Sequence, residues 1–175
     1  QFYNNYYEGS LDIKGFLDFC LEPLKNNEMD LLLKLREEFI EKKIKPIVLP
    51  AALTKVKEEM EDNTVIIATA TNDFVTKPIA NLFGIGDLIA TEFEIANSKF
   101  TGRVLGLPCF REGKLQKVTE WINLNGYALA ESRFYSDSFN DLPLLEKVRE
   151  AIVVDGDGKL LKEAKKNEWS CLSFR

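Results

Sequence analysis

The strongest constraint on this chain is the run TVIIATA at residues 64–70, a continuous and largely apolar stretch of strand length between two helical patterns. A strand that is apolar on both faces needs cover on both faces, which a parallel sheet packed between helices supplies. AIVVD is a second such strand, followed by the helical KLLKEAKKNE and a terminal strand in WSCLSF. ESRFYSD running into SFNDLPLLEKVRE repeats the same order, strand then helix. This alternation predicts an α/β fold, a Rossmann-like open sheet whose strands are mostly parallel.

The chain before Pro50 has another character. In MDLLLKLREEFIEKKIKP, residues Leu31, Leu32, Leu35, Phe39, Ile40 and Ile44 recur every three to four positions, the stripe of an amphipathic helix that Pro46 should end. GSLDIKGFLDFCLEPL predicts a shorter helix presenting Ile13, Phe16, Leu17 and Leu21. No strand is expected here; the segment reads as a small helical layer. After Pro50, Leu53, Val56 and Met60 mark one more helix, and NDFVTKPIANLFG another, closed by Gly84. DLIATEFEI and KFTGRVLG alternate around Asn97-Ser98 as a hairpin, and KLQKVTEWINLNG is helical, with Leu115, Val118 and Ile122 inward.

Composition removes several functions. The 23 basic and 28 acidic residues give a net charge of −5 without a dominant like-charge run, so no electrostatic argument favours nucleic acid or an anionic membrane as partner. The absence of histidine excludes serine–histidine and cysteine–histidine nucleophile systems and histidine-ligated zinc. Cys20, Cys109 and Cys171 are too few and too scattered for a disulfide framework or a thiolate metal site, and suit a reducing cytoplasm. No apolar run approaches the ~20 residues that span a bilayer.

Open α/β sheets bind ligands at the carboxyl ends of their strands. Three such places carry unusual chemistry. Thr69-Ala70-Thr71-Asn72 offers hydroxyls and backbone N–H groups at a helix entrance, an anion site by dipole and unpaired amides, although Thr71 or Asn72 can equally be a plain helix cap. Asp137-Ser138-Phe139-Asn140-Asp141 sets two carboxylates four residues apart, a hard-oxygen pair suited to Mg²⁺; the competing reading is a capped turn. Lys114 stands at a helix start, where an ammonium opposes the dipole and a phosphate oxygen would compensate; Lys117 is the competing lysine.

In this order, VIIATATNDFVTKPIA, TGRVLGLPCFREGKLQKVTEW and YSDSFNDLPLLE resemble motifs two, three and four of the haloacid dehalogenase superfamily, in its phosphoserine-phosphatase-like branch. The resemblance covers nearly the whole chain. It implies a Mg²⁺-dependent phosphomonoester hydrolase acting on a small phosphorylated metabolite, such as phosphoserine or histidinol phosphate, through an aspartyl-phosphate. It implies that Thr69, Ala70, Asn72 and Lys114 bind the phosphate, that Asp137 and Asp141 hold the metal, and that Thr69, Lys114 and Asp141 serve catalysis. Residues 1–48 would form part of a helical cap and residues 49–175 the core, with Asn72, Asp73, Tyr6, Tyr7 and Phe16 as possible substrate neighbours. Ordinary packing is the alternative for the cap aromatics.

The family's first motif, Asp-x-Asp-x-Thr on the first strand, does not occur in these 175 residues. Asp155-Gly156-Asp157 lacks the following hydroxyl and reads as a turn into the last helix. The first core strand is therefore expected to be absent here, with its nucleophile upstream of Gln1, because two buried strands stripped of their central neighbour would carry unpaired backbone groups. The other possibility is a non-catalytic phospho-ligand-binding protein on the same fold.

Overall fold

The computed structural model describes Phe2, Asn5, Tyr6 and residues 11–175. The chain forms two compact units, one spanning Ile13–Pro108 and the other taking in Cys109–Arg175 with the described N-terminal residues.

In the first unit, helices α1 (Ile13–Lys25), α2 (Met29–Phe39) and α3 (Pro50–Asp62) precede a βαββ stretch: β1 (Ile66–Asn72), α4 (Asp73–Leu82), β2 (Asp87–Ala96) and β3 (Lys99–Leu105). β1 pairs in parallel with β2, matching Ile66 to Asp87 and Ala68 to Ile89. β2 pairs antiparallel with β3. The Asn97-Ser98 hairpin is found as expected, both residues having left-handed φ, 49° and 58°, as a two-residue turn between twisted strands requires. The core joins the helical layer to the hairpin: Leu17, Leu21 and Leu32 bury against Phe93 and Phe100. Phe74 stacks edge-on to Phe100 at 5.2 Å, and the Arg36 guanidinium covers Phe74 at 4.6 Å from the ring centre.

Two elements depart from the expected pattern. The long helical stripe leaves α geometry after Phe39, passing through a π turn at Ile40–Ile44 and a 3-10 turn at Lys45–Ile47. Pro46 has no N–H to give and its ring crowds the carbonyl four residues back, so the preceding turn widens rather than continuing. β1 is half-buried along Ile66–Ala70 instead of fully covered. It pairs with β2 alone among the described residues, and an edge strand keeps access from its open side.

The second unit repeats strand and helix: α5 (Glu112–Leu124), β4 (Arg133–Ser136), α6 (Leu142–Leu145), β5 (Glu150–Val154), α7 (Gly158–Asn167) and β6 (Ser170–Leu172). β4, β5 and β6 form a parallel sheet in that order. Leu145, Ala151, Val153, Leu160 and Ala164 make its core, with Phe134, Phe139 and Trp169 packed alongside. The helix that SFNDLPLLEKVRE is expected to run into is short, a 3-10 turn and one turn of α6, since the chain must reach β5 by Glu150. Packing is tight where β5 hands over to α7: a Cβ on Gly156 would lie 2.4 Å from Val153 Cγ1, and Val153 and Leu160 are completely buried. Gly156→Ala should therefore cost about 1–3 kcal/mol by overpacking. A urea midpoint that falls at unchanged slope is the expected result.

Candidate active site

Parallel pairing of β4 with β5 brings both carboxyl ends to one side of that sheet, where Ser136 leads into Asp137. Ser138 caps the following 3-10 turn, its Oγ accepting from the Asn140 N–H at 3.2 Å. That turn carries Asp141 inward. Asp141 Oδ1 lies 2.5 Å from Lys114 Nζ, and its Oδ2 accepts from the Ser136 hydroxyl at 2.8 Å. Lys114 sits in the first turn of α5 and is 5% exposed; Asp141 is 8% exposed. The ammonium also faces the Phe134 ring at 5.9 Å.

A buried ion pair is a poor device for stability, because desolvation takes back most of what the attraction yields. An ammonium at a helix start adds a further small cost against the dipole. Lys114 is thus held where the fold by itself gains little from it.

Asp137 completes the cluster. Its side chain is exposed, yet its carboxyl pKa is raised, first by desolvation from its crowded surroundings and then by the charges of Asp141 and Asp157. Its own backbone N–H and Lys114 act in the opposite direction. Asp137 thus feels one ammonium and two further carboxylates. Among the described residues no three acidic, cysteine or histidine side chains converge as a closed metal cage. The donor set still fits Mg²⁺, a hard ion that keeps several waters and takes only one or two protein carboxylates. Asp137 is the carboxylate open to it, since both Asp141 oxygens are engaged by Lys114 and Ser136.

Sequence reasoning overlooked Arg111 and gave Tyr6, a candidate substrate neighbour, no part in steadying this loop. Arg111 Nε donates to Asn140 Oδ1 at 3.1 Å, and Asn140 Nδ2 donates to the Tyr6 carbonyl at 3.1 Å. The Tyr6 hydroxyl donates to Ser138 Oγ at 2.8 Å. Arg111 has φ 50° and ψ −120°, an unfavourable conformation for a residue with a Cβ, directly before the helix that carries Lys114. No local pattern in LPCFREGK announces it. Tyr7 lies outside the described residues.

Thr69, Ala70 and Asn72 belong to the other unit. Thr69 Oγ1 accepts from the Thr71 N–H at 3.2 Å, and the Ala70 carbonyl accepts from the Thr91 hydroxyl at 3.0 Å. Asn72 is the cap of α4, its Oδ1 accepting from the Val75 N–H at 3.0 Å, while the Asp73 carboxylate accepts from the Phe74 N–H. Phe16 packs on the core of that unit, as the ordinary-packing alternative has it.

A carboxylate loop and a helix-start lysine on a parallel α/β scaffold define a phosphoryl-transfer class of protein, and the comparisons agree. Residues 2–146 match the family model for haloacid dehalogenase-like hydrolases. A histidinol-phosphatase of Neisseria meningitidis is 36% identical over 180 aligned residues, covering 100% of this chain and 81% of that one. A probable phosphatase of Mycobacterium tuberculosis is 39% identical over 110 residues, 63% of this chain and 38% of its own length. A Bordetella pertussis protein of unknown function superposes with a TM-score of 0.92 at 36% identity, over 99% of this chain and 80% of that one. A phosphoserine phosphatase solved as a phospho-aspartyl intermediate analogue reaches 0.71 at 20% identity, over 99% and 78%, a likeness of fold. The chain belongs to the haloacid dehalogenase-like hydrolase family.

Proposed function

We propose that the protein removes the phosphate from a small phosphorylated metabolite with Mg²⁺ as cofactor. Two classes of substrate are favoured, phosphorylated amino alcohols such as histidinol phosphate and phosphorylated amino acids such as phosphoserine. The observation that carries this reading is the buried Lys114–Asp141 pair beside the open Asp137 carboxylate. In this reading Lys114 neutralises phosphoryl charge and Asp141 fixes the ammonium in place. Ser136 holds Asp141 from the other side. Asp137 would hold the ion, which when bound supplies charge stabilisation to the transferring phosphoryl group. Thr69 would offer its hydroxyl to a phosphate oxygen, and Ala70 and Asn72 would line the same loop. Residues 1–48 act as part of a helical cap over a core formed by residues 49–175, excluding water from the reaction. Transfer proceeds through an aspartyl-phosphate on a nucleophile that the motifs of this chain do not include.

Phosphate release by the full-length protein from histidinol phosphate, phosphoserine and p-nitrophenyl phosphate tests this. Turnover that requires Mg²⁺ and stops with EDTA is expected. Absence of turnover on all three, with phospho-ligand binding intact, would establish the non-catalytic binding protein instead.

A further inference from the structure

We propose that Asp157 is a positioning residue that aims Asp137, an inference that rests on the functional reading above. The Asp-Gly-Asp turn has no role in that reading beyond starting α7, yet Asp157 makes twice the bonds a helix start needs. Its Oδ1 accepts from the Lys159 and Leu160 N–H groups, both at 2.9 Å, and this alone caps the helix. Its Oδ2 accepts from the N–H of Phe139 at 2.6 Å, eighteen residues earlier in the chain. Its own N–H donates to the Asp137 carbonyl at 2.9 Å. Asp157 therefore grips the Asp137–Phe139 segment at both ends, one peptide group before Ser138 and one after it. The peptide that follows Asp137 is thus fixed by Asp157, and Ser136 before it is held in β4 opposite Val153, so the direction in which Asp137 leaves the backbone is set from both sides.

The grip is itself anchored. Gly156 packs against Val153 with no room for a Cβ, which holds the turn hard on β5. On the other side the Asp155 carboxylate accepts from the Ser173 hydroxyl at 2.6 Å and the Phe174 N–H at 3.3 Å. A cap needs one acceptor oxygen, and serine supplies it about as well as aspartate. Only a carboxylate supplies a second oxygen to Phe139. Partners in the outer shell of a metal site change affinity or activity by about 10–100-fold when lost, because the ligand they orient is then misdirected.

Asp157→Ser separates the two roles in the full-length protein. The helix cap survives, so the Lys159 and Leu160 amides should stay protected from hydrogen exchange while the Phe139 amide exchanges at least tenfold faster. With whichever phosphomonoester the wild type hydrolyses best, kcat should fall about 10–100-fold at a KM within about twofold, and half-saturating Mg²⁺ should rise about tenfold. Asp157→Ala should add exchange at Lys159 and Leu160. An Asp157→Ser protein with wild-type kcat and Mg²⁺ dependence overturns the inference, whatever Phe139 does. So does a fall in kcat with Phe139 protection unchanged, since the effect would not run through this loop. A wild type that releases no phosphate from any substrate overturns the functional reading instead, and the exchange measurement alone then decides whether Asp157 holds the loop.

Discussion

Lys114→Met is expected to lower turnover by about 10²–10³-fold or more and to cost about 3–5 kcal/mol of stability. The two effects have different origins. Removing the ammonium leaves the Asp141 carboxylate buried, its Oδ1 facing a methionine side chain and only the Ser136 hydroxyl donating to Oδ2. That uncompensated charge, rather than the loss of an attractive pair, is what unfolds the protein. Lys114→Met with Asp141→Leu removes both charges and should recover most of the lost stability, since apolar pairs commonly replace buried ion pairs without loss. It should recover none of the turnover, because the group proposed to neutralise phosphoryl charge is still missing. Thermal unfolding alongside phosphate release checks both variants. A double variant that regains activity would remove Lys114 from the mechanism.

Asp137→Asn is expected to reduce turnover by about 10²-fold or more while making the protein slightly more stable. The carboxyl pKa of Asp137 is raised, so the folded chain holds this proton more tightly than the unfolded chain does. Its stability contribution is therefore lost as pH rises from the ordinary carboxylate range through the raised value, and at neutral pH the ionised side chain is a net cost. The amide removes that cost. The gain is small, about 0.5 kcal/mol, because the side chain is exposed and salt screens it. It should appear in EDTA-treated protein at neutral pH and vanish at acid pH, where both proteins are uncharged at this position. A variant that is less stable and fully active would contradict the assignment of Asp137 to a functional site rather than to the fold.

Much of this molecule was legible in one dimension. The apolar runs at 65–70 and 151–154 predicted strands, and both are strands, although the full cover expected of them is found along β5 and not along the half-buried β1. The three-to-four spacing of Leu31, Leu35 and Phe39 predicted a helix, and Pro46 its end. The residue types at the strand ends, a lysine at a helix start and aspartates at 137 and 141, pointed to anion and cation chemistry through dipole and oxygen-donor rules that act over one or two turns. Tertiary structure alone decided the rest. That Lys114 rather than solvent answers Asp141, that Ser136 takes the second oxygen, and that Asp157 reaches back to Phe139 are contacts between residues 5 to 27 positions apart. Their geometry depends on how β4, β5 and α5 pack, and local preference carries no information about that packing.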